Sequence, residues 1–250
     1  FLLAISPWHI TQSRMAMLTS IALFFLMCGL AFFYKGLKKT RYWLISSLCF
    51  VLSIYSYYGM RLVIPLIIIV MFGFYRVRII LRTKKDYLTV LGSFILALLL
   101  LLPLGYAYLR QPDVIFGRVK TVSIFHDQGV ALRVWDLIAE DGAETSSWLA
   151  RFFHNKPYEY ILDIVRRLFE HVDGRFLFLT GDTHPPFQIS GMSVLYLFDL
   201  LFIIIGCIFL IKREQKLFMF LLLFIMISIL PAALTFVTPA ANRPLTLVIP

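Results

Sequence analysis

Four short segments carry most of the side chains in this chain that can do chemistry. They are Ser6-Pro7-Trp8-His9-Ile10-Thr11-Gln12-Ser13-Arg14, Tyr55-Ser56-Tyr57-Tyr58-Gly59-Met60-Arg61, Phe178-Leu179-Thr180-Gly181-Asp182-Thr183-His184-Pro185-Pro186, and the run from Pro231-Ala232-Ala233-Leu234-Thr235 to Asn242-Arg243-Pro244. Arginine matches phosphate geometry through its planar fork of N–H donors. Arg14, Arg61 and Arg243 converging on one point would hold an anionic headgroup or a lipid-linked phosphate, whereas one alone is a snorkelling interface residue. His9 adds a polar group beside Trp8, which itself suits an interface. Tyr57 and Tyr58 read either as an aromatic belt or as the lining of a polar cavity. Asp182 and His184, two residues apart in a loop stiffened by Gly181, Pro185 and Pro186, would hold a sugar hydroxyl or a divalent metal ion. A closed metal site needs more ligands than these two, so the metal assignment stays open beside an Asx-type turn. Asp199 is the one acidic residue deep in an apolar run, where an ionisable group is a functional candidate or a hydrogen-bonded structural one. No phosphate-binding glycine loop, Gly-x-Ser-x-Gly elbow or His-Glu-x-x-His helix is present.

These residues need a scaffold, and the composition says which kind. The 250 residues are 60% hydrophobic and 15% charged, with a mean hydropathy of +0.84. Soluble domains are about half apolar and about one quarter charged, so the surplus must face lipid. A span needs about 20 apolar residues. Apolar runs at 15–34, 42–58, 62–75, 87–109, 191–211 and 217–236 give an all-α integral membrane protein, a multispanning bundle of about six spans. Three connections are basic: Lys35, Lys38, Lys39 and Arg41; then Arg76, Arg78, Arg82, Lys84 and Lys85; then Lys212, Arg213 and Lys216. Alternating spans put all three on one face, which the positive-inside rule makes cytoplasmic. The four polar segments then face outside in a multi-pass cell membrane protein. Half of the basic residues lie in those connections, so the net charge of +10 does not call for a nucleic-acid partner. Cys28, Cys49 and Cys207 all lie in apolar runs without metal-ligand spacing.

Residues 1–109 form the first part of the bundle, 110–190 a large extracytoplasmic loop, and 191–250 the second part. Within the loop, 130–140 and 148–172 carry apolar residues at helical spacing, with Pro157 marking a break or a new start. Phe152, Phe153, Ile161, Ile164, Val165, Leu168 and Phe169 form stripes; Arg151, Lys156, Arg166 and Arg167 form the opposite polar faces. Such helices lie in the headgroup layer, or else fold as a small cap on their own core. Both ends of the chain look cut, which makes it the middle of a longer protein.

The ordered set of segments resembles the GT-C-type membrane glycosyltransferases related to dolichyl-phosphate-mannose protein mannosyltransferases and bacterial aminoarabinose transferases. The resemblance rests on Ser6-Pro7-Trp8-His9 with Ser13-Arg14, Tyr57-Tyr58-Gly59 with Arg61, Gly181-Asp182, and Pro231 to Thr235 followed by Asn242-Arg243. It implies transfer of a sugar from a polyprenyl- or dolichyl-phosphate donor to a protein, lipid or glycan acceptor at the outer face. It also implies that Arg14, Arg61, Arg243, Tyr57, Tyr58 and His9 line the donor site, while Asp182 and His184 order the loop near the acceptor or a metal. The family's main catalytic carboxylate precedes the Ser-Pro-Trp-His segment, so the chain as it stands is expected to be catalytically incomplete. Two other readings use the same residues: a transporter or flippase for a lipid-linked or anionic solute, and a glycan ligase or polymerase with lipid-linked donors.

Overall fold

A computed structural model describes residues 5–15, 17–75, 83–126, 128–141, 147–182 and 193–248. Among them no strand forms. The helices are α1 Pro7–Arg14, α2 Leu18–Gly36, α3 Tyr42–Ser56, α4 Met60–Phe74, α5 Lys84–Arg110, α6 Pro112–Val122, α7 Gly129–Glu140, α8 Ser147–Phe153, α9 Lys156–Glu170, α10 Asp199–Arg213 and α11 Gln215–Ala233. Three of them, α2, α5 and α11, are long and apolar enough to cross a membrane, at 19, 27 and 19 residues. This is the architecture of a helical membrane protein. The helices at the other three expected spans are shorter. α3, α4 and α10 have 15 residues each, about 22 Å of rise against roughly 30 Å of hydrocarbon.

The sequence expectation needs correcting at α10. Its helix begins at Asp199 rather than near residue 191. Asp199 Oδ2 accepts the Tyr196 backbone N–H at 3.0 Å. The carboxylate therefore closes the first turn, where a negative side chain is favoured by the helix dipole. It is not a charge deep in a span.

Small residues and hydroxyls fix the first helix pair. Gly29 lets α3 approach so closely that a Cβ there would sit 2.5 Å from Phe50 Cε1. Across this contact Ser46 donates to the Gly29 carbonyl at 2.7 Å, Ser53 to the Ala22 carbonyl at 2.8 Å and the Trp43 indole to the Phe33 carbonyl at 3.1 Å. Interhelical hydrogen bonds beside small residues are the usual adhesive where lipid offers no hydrophobic drive. Leu26, Phe33, Trp43, Phe50, Ile64 and Phe224 continue this core through α4 to α11.

The bundle has two chemically distinct ends. At one, Thr40 donates to Asp86 Oδ1 at 2.9 Å, joining the first basic connection to the start of α5. Thr83 and Asp86 close a capping box there. Phe74 packs on Phe220, with ring centroids 4.8 Å apart, which brings the start of α11 to the same end. The described parts of all three basic connections thus share one end. At the other end α11 stops at Ala233, and the chain pairs with the segment after α6. Ile124 N–H donates to the Leu234 carbonyl at 3.2 Å, and Phe236 N–H to the Val122 carbonyl at 3.0 Å.

α9 is amphipathic, with its polar stripe buried against the protein and its apolar stripe exposed. Asn155 caps it by accepting the Tyr158 N–H at 2.9 Å, with Pro157 in the first turn. Its buried stripe is Glu159, Asp163 and Arg167, while Tyr158, Ile161, Leu162, Val165 and Phe169 are exposed. The sequence puts Arg167 on a polar face together with Arg151, Lys156 and Arg166. Arg167 lies inside because its guanidinium finds both a carboxylate and a carbonyl there. Lys156, Arg151 and Arg166 remain exposed.

Candidate functional site

The polar end is organised around the chain that leaves α11. Pro231 lies in the last turn of α11, and Thr235 follows about one turn, roughly 6 Å, later. Thr235 donates to the Ala232 carbonyl at 2.6 Å and accepts from the Arg243 guanidinium. Arg243 Nη1 also donates to the Val237 carbonyl at 3.0 Å. Segment 235–243 is thereby folded back as a compact loop with its arginine drawn inward. Ala240, Ala241 and Leu245 are buried behind it.

Three other elements grip this loop. From α1, the Trp8 indole N–H donates to the Ala241 carbonyl at 2.6 Å. From the segment before α10, Asp182 Oδ2 accepts the Ala241 N–H at 2.7 Å. One peptide is therefore held on both sides by two of the motifs named from sequence. Asp182 reaches it because Arg175–Thr180 forms a π-helical turn and Gly181 takes φ 67°. That left-handed backbone favours glycine, so the Gly-Asp order is a geometric requirement. Trp8, Phe176, Val194, Ala241 and Leu245 pack together around it.

From α9, Arg167 Nη1 donates to the Thr235 carbonyl at 2.8 Å and Nε to Asp163 Oδ2 at 2.6 Å. Arg166 Nη2 donates to Asp163 Oδ1 at 2.6 Å. Thr238 donates to Glu170 Oε2 at 2.7 Å. Burial alone would raise the Asp163 pKa, but the hydrogen bonds and charges of Arg167 and Arg166 outweigh it and hold the carboxyl below its ordinary value.

His171 completes the grip. Its Nδ1 lies 2.7 Å from the Arg167 carbonyl, which can only accept, so Nδ1 carries the proton. Nε2 then accepts the Ala240 N–H at 3.3 Å. The ring is neutral and fully buried. Burial pushes its pKa below 6.5, and Arg243 pushes the same way; the Arg167 carbonyl, Glu170 and Asp182 oppose without prevailing. A pKa lower in the folded than in the unfolded chain means that the unfolded chain binds the extra proton. The resulting stability is complete above about pH 6.5 and is lost as pH falls through the folded value. Asp163 acts in a lower window, below its ordinary 3.8. Melting in nanodiscs should therefore drop to lower temperature between pH 7.5 and pH 5. A His171→Gln variant, which can donate and accept but not titrate, should flatten that dependence. Parallel curves for the two proteins would contradict the assignment.

Arg61 reaches the same end of α11 from the start of α4. A Cβ on Gly59 would lie 3.4 Å from Pro231 Cβ, so the Tyr57–Arg61 turn abuts the last turn of α11. The Arg61 guanidinium lies 4.6 Å from the Tyr58 ring centroid and 5.7 Å from that of Tyr108 on α5. Its Nη1 donates to the Tyr108 hydroxyl at 2.8 Å. Arg61 Nε is buried with no acceptor among the described residues.

The structure thus brings Tyr57, Tyr58, Arg61, Asp182 and Arg243 to the end of α11, together with Trp8. Arg14 belongs to the same end but stands apart. It is exposed at the last turn of α1, six residues and about 9 Å along the helix from Trp8. His9 is half-buried and lies 3.4 Å from the Ser13 hydroxyl; it points within α1 rather than to Arg61 or Arg243 by any bond. His184 lies outside the described residues. Among the described residues no three His, Cys, Asp or Glu side chains gather as a metal site. The sequence does not mark Asp163, His171 or Tyr108, and it marks Arg167 only as part of a polar face. The spacing Glu159, Asp163, Arg167 at four-residue steps was a usable signal, since it lays three charges on one stripe. No protein-family model, curated protein or solved structure matches this chain, so no comparison identifies a glycosyltransferase.

Proposed function

We propose that this chain belongs to a GT-C-type membrane glycosyltransferase that moves a sugar from a polyprenyl-phosphate donor to a protein, lipid or glycan acceptor. In this reading the chain has six spans and a large outer loop, the basic connections face the cytoplasm, and the α11 end faces outside. The observation that carries it is the grouping of Trp8, Arg61, Asp182 and Arg243 around the end of one spanning helix, opposite the basic end. Arg61 and Arg243, with Arg14 at the rim, hold the lipid phosphate; Tyr57, Tyr58 and His9 border the donor. Asp182 orders the loop, with His184 toward the acceptor or a divalent metal.

The chemistry is a displacement at the anomeric carbon. The acceptor oxygen forms a bond to that carbon while its bond to the phosphate oxygen breaks. The acceptor proton goes to a carboxylate that the resemblance puts before residue 1, and the lipid phosphate leaves with the electron pair. Fixed guanidinium groups at the phosphate stabilise the charge that develops there.

The test is transfer of labelled sugar from a polyprenyl-phosphate donor by the full-length protein in proteoliposomes, wild type against Arg243→Ala. The reading expects transfer by the wild type and a large loss in the variant at equal folded protein. Full activity in Arg243→Ala removes that residue from the phosphate. Donor recovered intact on the opposite side of the vesicle would indicate the flippase reading instead.

A further inference from the structure

The two stripes of α9 face in opposite senses to those of a helix that folds in water. Inward lie Asp163, 1% exposed, and Arg167, 8% exposed, tied to each other and to the Thr235 carbonyl. Outward lie Ile161, 60% exposed, and Phe169, 68% exposed, in register with Tyr158, Leu162 and Val165. Rotating α9 to hide the apolar stripe would pull Arg167 off Thr235, so the stripe is held outward by the charges behind it. α8 also turns aromatic side chains outward, with Trp148 stacked on Phe152 at 5.9 Å between ring centroids and both exposed. Contiguous apolar surface of this extent marks a membrane or protein interface.

Two observations select the membrane. α9 packs on the end of α11 that leads to Thr235, and α11 is long and apolar enough to span, so the outward stripe of α9 continues the surface that the spans present. Exposed cations also flank that stripe, Lys156 at the start of α9 and Arg166 and Arg175 near its end. Aromatic and aliphatic side chains below a row of cations are the layout of a helix lying in the headgroup layer of an anionic bilayer. We propose that α8 and the outward face of α9 are embedded in plane in the bilayer surface. Ile161, Val165, Phe169, Trp148 and Phe152 would reach the upper acyl chains. The buried Asp163–Arg167 pair then ties this in-plane helix to the loop that follows α11. The inference stands without the transferase reading.

The test places the full chain in nanodiscs of phosphatidylethanolamine and phosphatidylglycerol. Single nitroxides are attached through cysteine at Ile161, Val165, Phe169 and, as a control, exposed Asp173, with Cys28, Cys49 and Cys207 replaced by alanine. Collisions with oxygen should exceed those with a water-soluble nickel chelate at the first three sites and fall below them at Asp173. Nickel dominating at the stripe would overturn the proposal, because the face would then be in water. Shielding from both quenchers would overturn it too, because protein would then cover the face. A second measurement needs no label. Lipids brominated along the acyl chain should quench wild-type tryptophan fluorescence, and Trp148→Phe should remove a large share of the quenchable emission. Unchanged quenching in Trp148→Phe would also count as refutation.

Discussion

Replacing Arg167 with alanine should cost about 3–5 kcal/mol of folding stability, a fall in melting temperature of order 10 °C. The substitution leaves Asp163 buried with only Arg166 beside it, and it leaves the Thr235 carbonyl without its donor. Breaking a buried pair from one side costs more than the pair contributes, because the remaining charge stays desolvated. Arg166 softens the loss, which argues for the lower part of the range. Arg166→Ala should cost under about 1 kcal/mol, since that side chain is 54% exposed and its pairing is screened. The double variant Asp163→Leu with Arg167→Met should recover much of the loss, as apolar residues of similar size often replace a buried pair without penalty. Thermal melts of the three variants in nanodiscs decide the matter. Equal small losses for Arg167→Ala and Arg166→Ala would mean that the charge strap is not what seats α9.

Much of this architecture is legible in the residues, and the limits have physical causes. α2, α5 and α11 announce themselves because lipid demands long, nearly unbroken apolar runs, and that demand is local to each helix. Asp199 misleads because the apolar run extends on both sides of it. Only the Tyr196 N–H, which needs a partner, shows that the helix begins there. Gly181-Asp182 is visible as a turn signal, but the target of the carboxylate, the Ala241 N–H fifty-nine residues on, is a tertiary fact. α9 carries the strongest lesson. Its periodicity gives two stripes correctly, yet periodicity does not say which stripe faces in. In water the apolar one does; beside a bilayer the sense can reverse. A polar stripe on a peripheral helix reads as solvated surface, so the sequence alone does not mark Arg167 and His171 as site residues.

The largest functional effect is expected at Arg61, where substitution by glutamine should lower kcat/KM for a polyprenyl-phosphate donor by about 10²–10³-fold. That range is the cost of removing one preorganised donor from developing charge, roughly 3–4 kcal/mol. The surroundings of Arg61 would suit the role proposed for it. Tyr58 and Tyr108 flank its guanidinium, Tyr108 takes one N–H, and the buried Nε has no acceptor among the described residues. An orphan donor of that kind is destabilising by about 1–3 kcal/mol until something accepts from it, and a phosphate oxygen would do so. Arg61→Lys keeps the charge but not the planar fork, so it should remain well below wild type. Tyr108→Phe removes only one neutral hydrogen bond, about 0.5–1.5 kcal/mol, and should lower activity severalfold at most. The comparison also separates binding from packing. If Arg61 serves the donor, Arg61→Gln melts close to wild type, because the orphaned Nε goes with it, while transfer collapses. If Arg61 only ties α4 to α5, stability and transfer fall together in both Arg61→Gln and Tyr108→Phe, and the phosphate role is lost.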